Sequence, residues 1–386
     1  MLAFFPHHHS IQDRKMLLVS NALVHIIANT SMWDQILLYR IDHTLTIPGS
    51  IVKAVSARFS PDGRILASAG LDGIIRLWDV DSMECVDVLK VGKKEVRSLV
   101  FFSMRSAVAT ASGSVIKLWS LVDGKCEAVF RGHKHHVNEI SISPGERTLA
   151  STGEDGTIRL WNMGTLECER IIKGHGDWAL FVAYSPRGDT LASGSIGENF
   201  AKLWDPRSGE LSCILEHKDS VWKATFSPRG DCLVTASGNV LRIWDMGSKK
   251  CTNARRTRAK LRLIPMDLAL LQPTASFVSA KQWRLDSGYL EWRRRTDSKV
   301  LSVDFSSDAS FLVSGHGDGL LRIWNSESCR LLNSVQSHSA SIWHVAISPD
   351  CNLIASVGSD LLENGEVDRN IKLWRIDKRS FAHSHA

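Results

Sequence analysis

Two stretches, "GIIRLWDV" at 73–80 and "GTIRLWNM" at 156–163, share one short pattern: a basic residue, an apolar residue and then tryptophan. The same step recurs along the chain, and its tryptophans are Trp78, Trp119, Trp161, Trp204, Trp244, Trp324 and Trp374. Successive tryptophans are 41, 42, 43, 40, 80 and 50 residues apart. A fixed period of this length indicates one supersecondary unit repeated along the chain.

Each unit reads as a small antiparallel sheet. In the third unit the runs "HVNEISISP" (136–144), "TLAST" (148–152), "TIRLW" (157–161) and "CERIIKG" (168–174) are rich in β-branched residues and separated by turn residues. This is the pattern of four short strands. One such sheet cannot cover both of its faces, so the units are expected to stack face to face in a ring.

The gap of 80 residues spans two periods and predicts a hidden unit. The stretch "QWRLDSGYLEWRRRTDSKVLSVDFS" (282–306) aligns with "LWDPRSGELSCILEHKDSVWKATFS" (203–227) and places Trp283 in the tryptophan register. We therefore expect eight blades, seven clear and one degenerate over about 252–296. The alternative is seven blades, with residues 252–296 looped out.

The period, the Gly-His step before each unit, the Ser-Pro-x-Gly turn and the Trp-Asp step together resemble the WD40 repeat. The resemblance implies an all-β WD40 β-propeller over residues 50–378. In that family a His, a Ser or Thr, an Asp and the Trp form a hydrogen-bonded structural tetrad. Transferred to this sequence, the tetrads are His133, Ser151, Asp155 and Trp161, and His338, Ser356, Asp368 and Trp374. The first and seventh units lack the His, and units two, four and five lack the Asp six residues before the Trp.

The regions outside the repeats suggest how the ring closes. Residues 1–15 read as a flexible N-terminal tail, and residues 379–386 as a C-terminal tail. Residues 16–49 read as a β segment that holds a remnant repeat, with Tyr39 in the Trp register, and a ring-closing strand at 43–49. A ring needs that strand because its last blade otherwise keeps an unpaired edge.

Composition excludes several classes of function. The chain is 44% apolar and 23% charged, as is usual for soluble globular proteins, and no apolar run is long enough to span a bilayer. No phosphate-binding loop, nucleophile elbow or Cys-x-x-Cys pair is present. We therefore expect no enzyme activity, no cofactor and no metal, and an intracellular location in the cytoplasm or nucleus. Cys85, Cys126 and Cys168 each follow a unit's Trp by seven residues, and we expect them to be buried.

Function is expected at positions that vary between units. The residue that follows the first apolar position of each innermost strand lies near the mouth of the channel in WD40 proteins, where peptides are commonly held. These rim residues are Val55, Arg97, Asn138, Leu180, Trp222, Leu301 and Trp343. Trp and Arg often dominate binding energy, although Trp222 and Trp343 have an alternative role as packing between blades. Trp178 is a further candidate for the same rim.

Two other features are candidate contact sites. A basic patch comprises Lys249, Lys250, Arg255, Arg256, Arg258, Lys260, Arg262, Arg293, Arg294 and Arg295. It suits an acidic protein, RNA or an anionic membrane surface, or it is only a solvated loop. The segment 249–262 has no aromatic residue to stack on bases, so nucleic acid is the weaker prediction. The stretch "WDPR" (204–207) resembles the box by which some WD40 proteins contact the adaptor of a cullin-4 ubiquitin ligase, with Arg207 as the contact.

These features predict a non-catalytic scaffold or adaptor. It binds protein or peptide partners and acts as a monomeric subunit of a multiprotein complex. The alternatives are a substrate receptor of a cullin-4 type ubiquitin ligase, acting through Arg207, and a ribonucleoprotein component that uses the basic patch.

Overall fold

The computed structural model describes residues 38–46, 54–246, 290–328, 330–358 and 371–379. Within these ranges the regular secondary structure is all β-strand, and the 28 strands form seven four-stranded sheets. Residues Arg40–Asp377 belong to one compact unit. We number the sheets as blades 1 to 7 in the order of their first strands.

The first four blades are continuous in sequence. Blade 1 contains β2 (Ala54–Phe59), β3 (Ile65–Gly70), β4 (Ile74–Asp79) and β5 (Cys85–Lys90). Blade 2 contains β6 (Val96–Phe101), β7 (Ala107–Ser112), β8 (Val115–Ser120) and β9 (Cys126–Arg131). Blade 3 contains β10 (Val137–Ile142), β11 (Thr148–Gly153), β12 (Thr157–Asn162) and β13 (Cys168–Lys173). Blade 4 contains β14 (Ala179–Tyr184), β15 (Leu191–Ser195), β16 (Phe200–Trp204) and β17 (Leu211–Glu216).

The remaining three blades complete the ring. Blade 5 contains β18 (Val221–Phe226), β19 (Cys232–Ser237), β20 (Val240–Asp245) and β21 (Leu290–Arg295). Blade 6 contains β22 (Val300–Phe305), β23 (Phe311–His316), β24 (Leu320–Asn325) and β25 (Leu331–Gln336). Blade 7 contains β26 (Ile342–Ile347), β27 (Leu353–Gly358) and β28 (Ile371–Arg379), and its fourth strand is β1 (Leu38–Thr46). The first strand of each blade packs against the first strand of the next, and β26 packs against β2.

The hydrophobic core lies between blades. Trp161 of blade 3, which is 2% exposed, packs with Phe130 and Ile116 of blade 2, and its ring meets that of Phe130 edge-on at 5.6 Å. Comparable clusters join the other blades. The repeated tryptophan is therefore a packing residue that covers the face of the preceding blade.

The eighth blade predicted for residues 252–296 was wrong. The strand β21, which lies inside that range, is the fourth strand of blade 5 and pairs with β20 from Val240↔Arg295 to Trp244↔Leu290. It therefore completes a sheet that began 69 residues earlier, at Val221, instead of ending a sheet of its own. Trp283 and the rest of the stretch 247–289 lie outside the described residues, as do residues 16–37 of the predicted remnant repeat.

The expected burial of the repeated cysteines was also wrong. Cys85 and Cys126 are exposed and Cys168 is half-buried. Each begins the fourth strand of a blade, which is the outer edge of the sheet. In β5 and β9 only the fifth residue, Leu89 or Phe130, is buried, because most of an outer edge strand faces solvent.

Candidate partner-binding site

The seven rim residues occupy one equivalent place in the fold. Each is the second residue of the first strand of its blade, so all seven lie at the end of the ring where the first strands begin. In every blade the pairing register shifts across this residue, as between Ala54 and Ser56 or between Ile342 and His344. Such a β-bulge leaves one residue without a cross-strand partner and redirects its side chain. This backbone irregularity therefore places each rim residue outside the regular cross-strand register.

The rim side chains differ in exposure. Six of them are half-buried, and Trp343 is 48% exposed. Trp178, which precedes the first residue of β14, is 47% exposed. Among the residues whose side-chain burial the structure describes, no other tryptophan is exposed to this degree. Trp222 is half-buried, so it has both a packed and an accessible part.

Two of the rim residues bind each other. The Arg97 guanidinium donates from Nη1 to Asn138 Oδ1 and Glu154 Oε1, both at 2.6 Å, and from Nη2 to Glu95 Oε1 at 3.0 Å. Asn138 Nδ2 in turn donates to the carbonyl oxygen of Ala179 at 2.9 Å. This network links blades 2, 3 and 4 at the mouth of the channel. Because two carboxylates already balance its charge, Arg97 is a linker between blades rather than an unpaired anchor.

Below the rim, the channel contains charged side chains that cross the ring. Glu139 of blade 3 accepts a hydrogen bond from Lys223 Nζ of blade 5 and lies 3.9 Å from Arg58 Nη2 of blade 1. Neither partner belongs to a neighbouring blade. Asp304 of blade 6 lines the same cavity of about 200 Å³, and its Oδ2 accepts from the backbone N–H of Ile347 in blade 7 at 3.1 Å.

The channel is a low-dielectric environment for these groups. Burial lowers the pKa of Lys223, although Glu139 opposes the shift. Burial also raises the pKa of Asp304, against the opposing charge of Arg58. His344, on β26, has its pKa held well below the usual value by burial and by the charges of Arg58 and Lys223. Two cations thus face two carboxylates and a neutral imidazole, and this set was missed from the sequence.

The predicted tetrad of blade 3 is assembled around Ser151. His133 Nδ1 contacts Asp155 at 2.9 Å, His133 Nε2 contacts Ser151 Oγ at 2.8 Å, and Trp161 Nε1 donates to Ser151 Oγ at 2.8 Å. The Asp–His–Ser order matches that of a hydrolase triad. Ser151 is fully buried, however, and its oxygen already accepts from the indole, so no substrate reaches it. Although burial opposes it, hydrogen bonds from His133 and Thr157 keep the pKa of Asp155 below its usual range.

The predicted tetrad of blade 7 is described in part. His338 Nε2 contacts Ser356 Oγ at 2.9 Å and Trp374 Nε1 donates to the same oxygen at 3.0 Å. Asp368 lies outside the described residues.

Blade 4 has a complete set that sequence reasoning missed. His175 Nδ1 contacts Glu198 Oε2 at 2.5 Å, His175 Nε2 contacts Ser193 Oγ at 2.7 Å, and Trp204 Nε1 donates to Ser193 Oγ at 2.8 Å. Glu198 stands six residues before Trp204, where only an Asp was sought. The signal was present, since a carboxylate one methylene longer makes the same bond.

The basic residue of the repeated step has a structural role as well. In blade 1, which has no described His, Arg76 Nη2 pairs with Asp72 at 2.9 Å. In blade 2, which lacks the Asp, Lys117 Nζ donates to the carbonyl oxygen of Val91 at 2.6 Å. Lys202 Nζ of blade 4, where the set is complete, likewise donates to the carbonyl oxygen of Gly174 at 2.5 Å, so the cation bonds at this end of the blade whether or not the tetrad is complete.

The other predicted sites lie apart from the rim. Arg207 is exposed in the β16–β17 turn, at the opposite end of the ring, and the carbonyl oxygens of Arg207 and Ser208 accept from Arg170 at 2.8 and 2.9 Å. In the basic patch, the residues between 249 and 262 lie outside the described residues, and Arg293, Arg294 and Arg295 form the end of β21. Among the described residues, no group of three His, Cys, Asp or Glu side chains is placed to hold a metal ion. No helix in that part of the chain could cross a membrane.

Comparison with protein families gives one match. The family model described as "WD domain, G-beta repeat" matches residues 41–79, 124–162, 166–205, 209–245, 291–325 and 329–375, which together make up more than half of the chain. The match skips 246–290, in agreement with a sheet interrupted between β20 and β21.

Several curated proteins are similar over part or most of the chain. The target of rapamycin complex subunit wat1 of Schizosaccharomyces pombe is 24% identical over 74% of this chain and 79% of its own length. The autophagy-related protein 16 of Arabidopsis thaliana is 27% identical over 42% of this chain and 33% of its own. The transcriptional corepressor LEUNIG_HOMOLOG of Arabidopsis thaliana is 23% identical over 84% of this chain and 36% of its own. The chain thus spans about a third of the length of the last two.

Proposed function

The chain belongs to the WD40 family of WD-domain, G-beta repeat proteins, and on this premise we propose that it is a non-catalytic scaffold. It holds a segment of a protein partner at the mouth of its channel and acts as a monomeric subunit of a multiprotein complex in the cytoplasm or nucleus. The relatives support this class, because their names include a subunit of a complex and a corepressor. Fold alone does not specify a partner.

The exposure of Trp343 is the observation that carries the proposal. It stands at a bulge, on the end of the ring where the variable residues converge, and 48% of its surface is exposed. An indole offers a large apolar face and one N–H donor with few rotatable bonds, which is why tryptophan is enriched among binding anchors. The half-buried Trp222 and the exposed Trp178 extend the apolar surface at the same end.

The experiment is affinity purification with mass spectrometry on the tagged full chain. The variants are Trp343→Ala, Trp222→Ala/Trp343→Ala and, as a matched control, Val122→Ala, which removes apolar surface from a side chain 83% exposed at the opposite end. Truncating a binding anchor commonly costs about 2 kcal/mol or more, so a set of partners should fall by about 30-fold or more. All variants must retain the wild-type melting temperature to within a few degrees.

One outcome contradicts the proposal. If Trp343→Ala and the double variant fold and retain every partner that Val122→Ala retains, these tryptophans are packing residues. If Arg207→Ala instead loses a ligase adaptor while the rim variants keep it, the alternative function as a substrate receptor replaces the scaffold.

A further inference from the structure

Two neighbouring connections at the rim end of the ring carry a concentration of positive charge. They join blade 1 to blade 2 and blade 2 to blade 3, and six basic side chains in these connections and at the ends of the strands that lead into them are exposed. We call this set the basic sector: Lys90, Lys93, Lys94, Arg131, Lys134 and His135. It has five formal positive charges at pH 7 without counting the imidazole.

The carboxylates of these connections and of the adjoining turn do not neutralise the sector. Glu95 pairs with Arg97 at 3.0 Å, Glu154 pairs with Arg97 at 2.6 Å, and Asp155 pairs with His133 at 2.9 Å. In the part of the chain that the structure describes, no carboxylate lies within ion-pair distance of the six sector side chains. The charges therefore add to a local positive potential at the surface.

The two connections form one continuous surface. A Cβ added at Gly113 would lie 2.5 Å from Cδ of Lys94, so the Lys94 stem runs over this glycine. The carbonyl oxygen of Gly113 accepts from Val137 N at 2.7 Å, at the far side of the second connection. Glu95 Oε1 lies 3.0 Å from His136 Nδ1 and so bridges the two connections directly.

The chemistry of the sector discriminates between anions. Phosphate sites commonly use converging backbone N–H groups or the planar fork of arginine. Here Val91 N and Gly92 N donate to the carbonyl oxygen of Gly73 at 3.0 and 3.2 Å, and Lys134 N donates to Asp155 at 2.9 Å. Four of the six side chains are lysines, which act as point charges, and neither connection contains a Phe, Tyr or Trp ring to stack on a base.

We propose that the basic sector docks an acidic stretch of a polypeptide partner. Several carboxylates spaced along an extended chain complement separate ammonium groups better than a single phosphate does. The proposal rests on the proposed function in one respect: the sector adjoins the rim at Arg97, so one partner segment lies across both. Such a segment has an apolar anchor near the tryptophans and acidic residues over blades 1 to 3.

The test is fluorescence anisotropy of a labelled polyglutamate peptide with the full chain. The sector variant is Lys93→Gln/Arg131→Gln/Lys134→Gln. The matched control, Arg147→Gln/Arg187→Gln/Arg229→Gln, removes the same charge from three exposed arginines in the turns at the opposite end. Exposed ion pairs contribute little individually, so the sector variant should bind on the order of tenfold more weakly at an ionic strength of about 0.01 M, and both should weaken towards 0.15 M as the Debye length falls.

Three results would overturn the proposal. The first is equal weakening in the sector variant and its control, which indicates a response to net charge alone. The second is no weakening in the sector variant. The third is tighter binding of polyuridylate or of phosphatidylserine vesicles than of polyglutamate, which assigns the sector to phosphate groups.

A third variant separates this proposal from the rim. Polyglutamate has no apolar anchor, so Trp343→Ala should bind it as the wild type does. If only the sector variant loses affinity for polyglutamate while the rim variants retain all cellular partners, the acidic-segment proposal stands and the rim proposal is rejected. If the sector variant keeps its affinity while the rim variants lose partners, only the sector proposal is rejected.

Discussion

The charges that cross the channel make a quantitative prediction about stability. Lys223→Met removes one cation and leaves Arg58 to face Glu139 and Asp304. Glu139→Gln removes one carboxylate and leaves two cations to face Asp304. Either change unbalances a site where Glu139 is only 8% exposed, and breaking a buried pair from one side costs about 3–5 kcal/mol. We expect the lower end of this range for Lys223→Met, because Asp304, whose pKa burial already raises, can take up a proton.

The size of the effect follows from the length of the chain. With an unfolding entropy of about 2.1 cal/mol/K per residue, a chain of 386 residues loses about 1.2 °C of Tm for each kcal/mol. Lys223→Met should therefore melt about 4 °C below the wild type, and Glu139→Gln about 4–6 °C below it. The double variant Lys223→Met/Glu139→Gln retains one cation and one carboxylate, so its charge is balanced again.

Differential scanning calorimetry at pH 7 on all four proteins measures the coupling between the two residues. The double variant should melt within about 2 °C of the wild type, since replacing both partners of a buried pair is often close to neutral. A double variant whose loss of Tm equals the sum of the two single losses would refute the reasoning. It would mean that the two groups are solvated independently and that the contact across the ring contributes nothing.

Three further predictions concern the framework of the blades. Ser151→Ala leaves two buried ring nitrogens without their partner, and each such group costs about 1–3 kcal/mol. Ser68→Ala leaves only one indole N–H without its partner. Calorimetry should therefore show the larger loss of Tm for Ser151→Ala. Gly156 has φ +70° and a Cβ there would lie 2.7 Å from a carbonyl oxygen, whereas Gly145 has open space around it. In denaturant unfolding, Gly156→Ala should lower the free energy of unfolding by more than about 1 kcal/mol, and Gly145→Ala should match the wild type. Burial lowers the pKa of His316 to about 3, so below pH 6.5, the pKa of the unfolded imidazole, only the unfolded chain takes up this proton. The free energy of unfolding therefore falls by about 1.4 kcal/mol per pH unit. His316→Asn should give a shallower decline of Tm between pH 6.5 and pH 5, and an unchanged slope contradicts the assignment.

The rim was predictable because its position depends on a local pattern. Aligning the first strands on one apolar residue selects Val55 and Trp343 as equivalents, and the structure places both at the same bulge. The bulge itself has no sequence signature, since the residue there varies from Val to Arg to Trp. The exposure of each rim side chain depends on neighbours from other blades, and it could be obtained only from the structure.

The number of blades could not be decided from the repeat spacing. An interval of two periods is compatible with a whole extra sheet or with an insertion between the third and fourth strands of one sheet. The stretch that became β21 pairs through its backbone, and it can do so with any third strand that precedes it. The register of β21 against Trp244 therefore depends on tertiary structure, and the local sequence does not indicate it.

The crossing charges were missed for a related reason. Glu139 and Lys223 are 84 residues apart, and Arg58 and Glu139 belong to blades that are not neighbours. Their sequence signal was present but local: a charge at the third or fifth position of a first strand, where the other blades have Ser, Thr, Val, Ala, Phe or His. Only closure of the ring shows that these positions face each other.

The internal hydrogen bonds of the blades support the proposal that partners bind at the rim end of the ring. In each blade the indole N–H of the repeated Trp donates to a Ser or Thr hydroxyl. The His, or the basic residue of the repeated step, forms further bonds near the connection that leads into the first strand. These internal bonds fix the first connection and the start of the first strand, so the bulge residue is presented on a rigid base. Rigid presentation lowers the entropy cost of ordering an interface. The bulge residue does not take part in the regular cross-strand register, so its residue type can vary between blades, although Arg97 and Asn138 use their side chains to link blades 2, 3 and 4. A partner that binds this end therefore contacts variable rim residues, whose backbone is fixed by the hydrogen bonds of the repeated residues.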